Sequence, residues 1–533
     1  MPQGNSSLPH PVEAIKGEQL SDNNHVAPKA LPNRQRSRGK DINVVPDSTP
    51  AAPVVISPLG DIILNYTAMS SGRSHYWQVS SKRLMLGSPY FGAMLDSDKF
   101  MEGRLLAQQR QALVDRMAPG AVENPPSDNE SSMLAMLPVV QIPVSAKSEL
   151  CGVEAIQLFL KILCFDFSET EEVQDAIHYD LRAQSSTMVV KVIDLAEWFN
   201  STKPIQTALR AAQYRGGVKS RPSSSVKVFT LDMLKLKERR LREMILISTF
   251  LGLDDISKAM THTLIILGSK YWLHGLERPM IEEYPNWKYL PNGLEEELFY
   301  RRQCVLNTLT DLQAHFLRSY GGLESDEPIP KRKTTLGAAF SSRNLELQCR
   351  NGLDNGMQCD IFHLGQMTRF FALRTKTIFL GSTLVDGNSY IDESDEAPEQ
   401  PAGPKDDGAY EEPQFAIDQV IASLKQYPDY QIDNNHIGCG IRRRILPILD
   451  GLEKFTADNR GLLGIQANLW NSSERRKQIA WSDKQGPKDH TVYIQFSKIL
   501  KIDVPLHGPL RTNLSPEEQA RFMFTAAKYQ WET

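Results

Sequence analysis

Five residues in the C-terminal half, Cys349, Cys359, His363, His436 and Cys439, are the chain's clearest set of metal-type donors. Thiolate sulfur and imidazole nitrogen are what a tetrahedral zinc ion takes, usually from closely spaced pairs. Cys359-x3-His363 and His436-x2-Cys439 would supply two such pairs. Two other outcomes stand beside that one. In "LQCRNGLDNGMQCD", Cys349 and Cys359 flank a Gly/Asn turn and would face each other across a hairpin as a cysteine pair, or all five side chains simply pack. The overall spacing matches no standard zinc module, so packing is the first expectation, and no metal and no cofactor is assigned.

The other familiar chemistry is missing from the sequence. There is no GxGxxG or P-loop to cradle phosphate, and neither GxSxG nor HExxH occurs. The 11 histidines are scattered, with no His–carboxylate pair that would serve as a general base. Arg442, Arg443 and Arg444 precede the apolar "ILPIL" and read as a solvated helix face, with contact to an acidic partner or phosphate as the alternative. No catalytic residue is assigned, and the expected class is non-enzymatic.

Composition narrows the setting. Net charge −4 disfavours direct nucleic-acid binding, and 41% apolar residues suffice for at least one sizeable core. Six cysteines in 533 residues give no disulfide framework. With no basic-then-apolar leader and no run of eighteen apolar residues, an intracellular chain, in cytoplasm or nucleus and not in a membrane, is expected.

The elements that must position these residues read as follows. Residues 1–52 are polar and proline-rich and read as a disordered tail, within which "RQRSRGK" (34–40) reads first as a solvated basic stretch, with a nuclear-import signal as the alternative. "DIILNY" (61–66) and "HYWQV" (75–79) read as a hairpin. In "VSSKRLMLGSPYFGAML" (79–95), Ser81 and Ser88 each offer a helix cap and Pro89 a boundary, so two short helices follow back to back. Phe91, Met94 and Leu95 then fall on one inward face. "PVVQIPV" (138–144) reads as a strand. "GVEAIQLFLKILCF" (152–165) is apolar nearly all round, as a core helix must be. Polar stretches at 104–137 and 168–187 read as insertion loops. "PIQTALRAAQY" (204–214) starts a helix with Pro204 at its first position.

Residues 227–323 read as helical, with charged faces alternating with apolar ones as in packed surface helices. A disordered break at 392–413 interrupts a mixed α/β region covering 336–391 and 414–533. That region includes the strand-like "TVYIQFSKI" (491–499) and a capping box at Ser515-Pro516-x-Glu518. The fold class is α+β.

The order hairpin, two capped helices, strand, buried helix, amphipathic helices resembles the BTB/POZ domain. The resemblance is carried by "VSSKRLMLGSPYFGAMLDSDKFMEG" and "VIDLAEWFNSTKPIQTAL" and covers 53–216, with the two insertions. "ERRLREMILISTFLGL" and "NNHIGCGIRRRILPIL" are similar to stretches of the long BTB proteins of filamentous fungi. The resemblance implies a protein-interaction scaffold that dimerises or binds other proteins. It also implies a partner contact at Phe100, Met101 and Glu102, where adaptors of this kind grip a cullin scaffold with a hydrophobic-x-Glu triplet. A substrate adaptor for a cullin-type ubiquitin ligase is the narrower form of this expectation. A transcriptional or chromatin-associated regulator, or an enzyme with an unfamiliar site in the C-terminal half, are the competing ones.

Overall fold

A computed structural model describes residues 52–69, 71–117, 137–143, 151–165, 170–216, 228–272, 276, 287–323, 347–349, 355–375, 416–482 and 514–526. The tail at 1–51, "RQRSRGK", the 392–413 break and the run at 491–499 lie outside them. The class is mixed α and β: mostly helical, with one small four-stranded sheet.

The expected hairpin is present. β2 (Ile62–Thr67) pairs antiparallel with β3 (Ser74–Val79), placing Ile62 opposite Val79 and Thr67 opposite Ser74. β1 (Val54–Val55) runs parallel along β3, and β4 (Val139–Gln141) runs parallel along β2, giving the order β1-β3-β2-β4. Ile62, Ile63 and Leu64 are consecutive and all buried, as a central strand covered on both faces requires.

Two short helices follow, α1 (Ser81–Gly87) and α2 (Pro89–Met94). Ser88 behaves as expected: its Oγ accepts the Phe91 N–H at 3.2 Å and donates to the Phe199 carbonyl at 2.5 Å. Ser81 does not cap α1. The Asp61 carboxylate does, accepting the Ser81 N–H at 2.7 Å and its hydroxyl at 2.6 Å. A carboxylate suits a helix start better than a hydroxyl, because the positive end of the helix dipole favours it.

The polar stretches are not simply loops. Residues 101–117 form α3 (Met101–Met117), and 118–136 lie outside the described residues. Glu171–Ala183 forms α5, after the core helix α4 (Val153–Cys164). Both new helices are rich in Ala, Leu, Glu, Gln and Arg, whose helix propensity outweighs a weak apolar pattern. α6 (Ser186–Trp198) and α7 (Thr202–Ala211) complete this part. α7 starts before Pro204, which sits within the first turn, where its missing N–H costs nothing. Phe91 and Phe159 both stack on Phe199, at centroid distances of 4.9 and 5.3 Å.

The second core is built on α8 (Glu238–Leu251), α9 (Asp254–Leu267), the 26-residue α10 (Leu294–Ser319), α11 (Gly356–Arg369), α12 (Ile417–Lys425) and α13 (Arg442–Thr456). Short helices α14 (Ala467–Asn471), α15 (Ser473–Ile479) and α16 (Pro516–Thr525) close it, and the capping box at Ser515 and Glu518 forms as expected. Among the described residues the region after 336 contains no strand. Helix α8 serves both cores: Leu246, Ile247 and Leu251 join the sheet-side cluster, whereas Leu241, Met244 and Ile245 join the helical one.

The charged faces of these helices are not all on the surface. Arg242, Glu295, Glu297, Arg301 and Arg302 are buried. Arg242 holds Glu295 bidentately at 2.7 and 2.8 Å and reaches Glu238 at 2.7 Å. Arg301 donates to Glu297 at 2.7 Å, and Arg302 donates to the Ile265 and Ile266 carbonyls at 2.8 Å, satisfying the end of α9.

Candidate functional site

Two places in the molecule deserve a functional reading: the start of α3 and the cluster of cysteines beside α11.

Phe100, Met101 and Glu102 sit where α3 begins. Phe100 is 52% exposed and Met101 71%, and Leu105, one turn on, is 43% exposed. Glu102 is half-buried beside Tyr90. Burial first, and the Glu102 charge second, raise the Tyr90 hydroxyl pKa. Gly103 explains how the helix start is held: a Cβ there would stand 2.2 Å from the Asp96 carbonyl oxygen. No other residue lets α3 pass so close to the turn after α2. The triplet is therefore presented at a fixed corner, at the first turn of a helix and not on a loop.

The cysteine cluster is assembled from three separate segments. Cys349 lies in the short stretch 347–349, Cys359 on the first turn of α11, and His436 and Cys439 in the turn before α13. All four are buried, and their ligand atoms lie within 4.8 Å of one another. Cys349 Sγ is 3.3 Å from His436 Nδ1 and 3.9 Å from Cys439 Sγ, and Cys439 Sγ is 4.0 Å from the same nitrogen. The three cysteines are free thiols. Burial, and then the neighbouring Cys349 and Cys439, push the Cys359 thiol pKa far up.

His436 and Cys439 are fixed by a tight turn. Ile437 adopts φ −61° and ψ 124°, Gly438 follows at φ 72°, and the Cys439 N–H donates to the His436 carbonyl at 3.3 Å. These are the dihedrals of a type II turn, whose third position calls for glycine. The turn brings residues three apart onto one side of the chain. The Nε2 edge of His436 faces the Asp433 carboxylate at 4.0 Å.

Cys349 is placed by its neighbour. The Gln348 N–H donates to Asp360 at 2.8 Å, and its side-chain carbonyl accepts from Arg444 at 2.8 Å. Arg444 also donates to the Tyr320 hydroxyl at 2.7 Å, which donates in turn to the Cys439 carbonyl at 2.9 Å. Arg442 donates to the Tyr427 carbonyl, so of the three arginines only Arg443 is exposed. Two of the three are thus turned inward, contrary to the expected solvated face.

The pairing inferred from spacing is revised in two respects. Cys349 and Cys359 do not face each other across a hairpin, because Cys359 is on a helix. His363, one turn along α11, is outside the four-atom group. Its ring packs on Gly440 and edge-on to Tyr320, and neither ring nitrogen has a hydrogen-bond partner. The sequence signal that would have found the right set was the knuckle-like His-x2-Cys-Gly turn, with a ligand sought away from the local pair.

No protein-family model, no curated protein and no solved structure matches the chain. Among the described residues no helix is long and apolar enough to cross a membrane.

Proposed function

We propose that the chain is a non-catalytic protein–protein interaction scaffold whose residues 53–216 act as a BTB/POZ-like module, and that it serves as a substrate adaptor for a cullin-type ubiquitin ligase. The observation that carries this reading is the presentation of Phe100 and Met101. Two large apolar side chains stand in water at the start of a rigid helix, with Glu102 beside them and Leu105 extending the stripe. Exposed apolar anchors next to a charge are what a partner-binding hot spot is made of. Val54 and Val55 on the edge strand β1, with Met85 and Leu86 on α1, form a second exposed apolar set among the first elements, which supports self-association.

The test is co-purification of a cullin with the full chain from cells of its own source. Phe100→Ala combined with Glu102→Ala should lower the recovered cullin about tenfold, the loss expected from removing one or two hot-spot contacts. Equal recovery by the double variant, or no cullin with the wild-type chain, overturns the adaptor reading.

A further inference from the structure

We infer that Cys349, Cys359, His436 and Cys439 form a structural zinc site, a Cys3His centre that fastens the segments on either side of the 376–415 stretch to the helical core. The inference rests on the geometry of the four donors and is independent of the scaffold reading.

A zinc ion with Zn–S of about 2.3 Å and Zn–N of about 2.0–2.1 Å in tetrahedral array requires donor–donor edges of about 3.8 Å between sulfurs and about 3.5 Å between sulfur and nitrogen. The edges seen here are 3.9 Å for Cys349–Cys439, and 3.3 and 4.0 Å from the two sulfurs to His436 Nδ1. Cys359 completes the set, with every pair inside 4.8 Å. A disulfide would bring two sulfurs to about 2.05 Å and leave the third cysteine unused. Plain apolar packing accounts for three buried thiols, but not for the imidazole nitrogen turned into their midst.

The surroundings fit a metal as well. His436 offers Nδ1 inward while its other nitrogen faces Asp433, the arrangement in which a carboxylate orients a zinc-bound imidazole. Three thiolates, one neutral imidazole and Zn2+ sum to a charge of about −1, which burial would penalise unless offset. The Arg444 guanidinium supplies the offset, because it is hydrogen-bonded to Gln348 beside Cys349 and, through Tyr320, to the Cys439 carbonyl. All four donors come from the protein and all are buried, with no position left open for substrate, so the site is structural and not catalytic.

The experiment is metal analysis of the purified full chain by inductively coupled plasma mass spectrometry, with Co(II) exchange followed by visible absorption. About one zinc per chain is expected, and the Co(II) form should show the thiolate charge-transfer and tetrahedral d–d bands of a sulfur-rich site. Cys359→Ser and Cys439→Ser should each lower the bound zinc about tenfold or more. Cys304→Ser, at a buried cysteine outside the cluster, and His363→Ala should retain it. The Co(II) spectrum of the wild-type chain keeps the test decisive if a ligand variant fails to fold. A wild-type chain without stoichiometric metal overturns the inference. So does a disulfide among Cys349, Cys359 and Cys439 in non-reducing peptide mapping, or zinc that is retained in Cys359→Ser and lost in His363→Ala.

Discussion

Around Phe199 the sheet-side core closes on rings and aliphatic side chains, whereas around Arg242 the helical core closes on charge. In the first, Phe91, Phe159 and Phe199 stack, and polar links such as Asp61 on the α1 start and Ser88 on the α2 start close the helix ends. In the second, Arg242 is fully buried against Glu295, Glu238, Ser269 and the face of Tyr271, and Trp272 adds a third N–H to Glu295 at 2.6 Å. Apolar packing is tolerant, because a side chain of similar volume restores most of what is lost. A buried ion network is not, because each member has been stripped of water and depends on its partners. The same chain therefore contains one region robust to single changes and one that is brittle.

Breaking the brittle region at its centre should give the largest effect. Arg242→Ala leaves Glu295 buried, still facing the Trp272 and Leu290 N–H groups but without its cation. The expected loss is about 3–5 kcal/mol of folding stability, read as a shift in the urea midpoint. Pairing Arg242→Met with Glu295→Gln should recover most of it, because no uncompensated charge remains. A single-variant loss below about 1 kcal/mol would mean that the network carries no more than a surface pair does.

Acid should strike the same side of the comparison. Among the described residues the buried histidines, His262, His363 and His436, all lie on the helical side, after residue 228. His262 donates from Nε2 to the Thr456 carbonyl at 2.9 Å and accepts the Leu463 N–H on Nδ1 at 3.2 Å, and the second bond requires the neutral ring. Burial lowers its pKa from 6.5 to about 4, against smaller opposing effects of the Thr456 carbonyl and Asp458. The folded chain keeps this ring neutral while the unfolded chain takes up a proton near pH 6.5. Stability is therefore fully present above that pH and falls as pH drops from about 6.5 towards 4. Between pH 6.5 and 5 the His262 contribution should fall by about 1.5 kcal/mol, the slope approaching about 1.36 kcal/mol per unit as the unfolded ring becomes fully protonated. His262→Gln should remove that fall from the pH dependence of unfolding free energy in the window. An unchanged slope would remove His262 as its source.

The two regions also differ in how much of them can be read from sequence. The hairpin, the caps at Ser88 and Ser515, and the buried α4 all rest on signals a few residues long: alternation, a Ser before a Pro, an i, i+3, i+4 stripe. Helix α3 escaped because its evidence is propensity spread over many polar residues, and α5 because its inward stripe, Ile177 and Leu181, is narrow and set among polar residues. The ionic core was illegible for a stronger reason. Arg242 and Glu295 are 53 residues apart, and nothing local distinguishes "LEEEL" with an inward Glu295 from the same letters on a solvated face. The metal-type cluster was half legible. His436 and Cys439 are close in sequence and stay together in space. Cys359 and His363 share a helix face, but Cys349 comes from a separate segment held by long-range links such as the Gln348–Asp360 and Gln348–Arg444 bonds.

The smallest expected effect on stability belongs to the residues proposed to matter most for function. Phe100 and Met101 lose little by truncation, because their side chains already stand largely in water, and Glu102 makes no salt bridge among the described residues. Phe100→Ala with Glu102→Ala should change the unfolding free energy by no more than about 0.5 kcal/mol, as exposed substitutions generally do. Gly103→Ala, one residue away, should behave oppositely, because its Cβ would meet the Asp96 backbone at 2.2 Å and the helix start would have to move. Thermal unfolding of the two variants side by side separates a surface kept for a partner from a contact kept for the fold. A double variant as unstable as Gly103→Ala would show that the triplet packs and does not present, and loss of cullin recovery would then report unfolding instead of a lost interface.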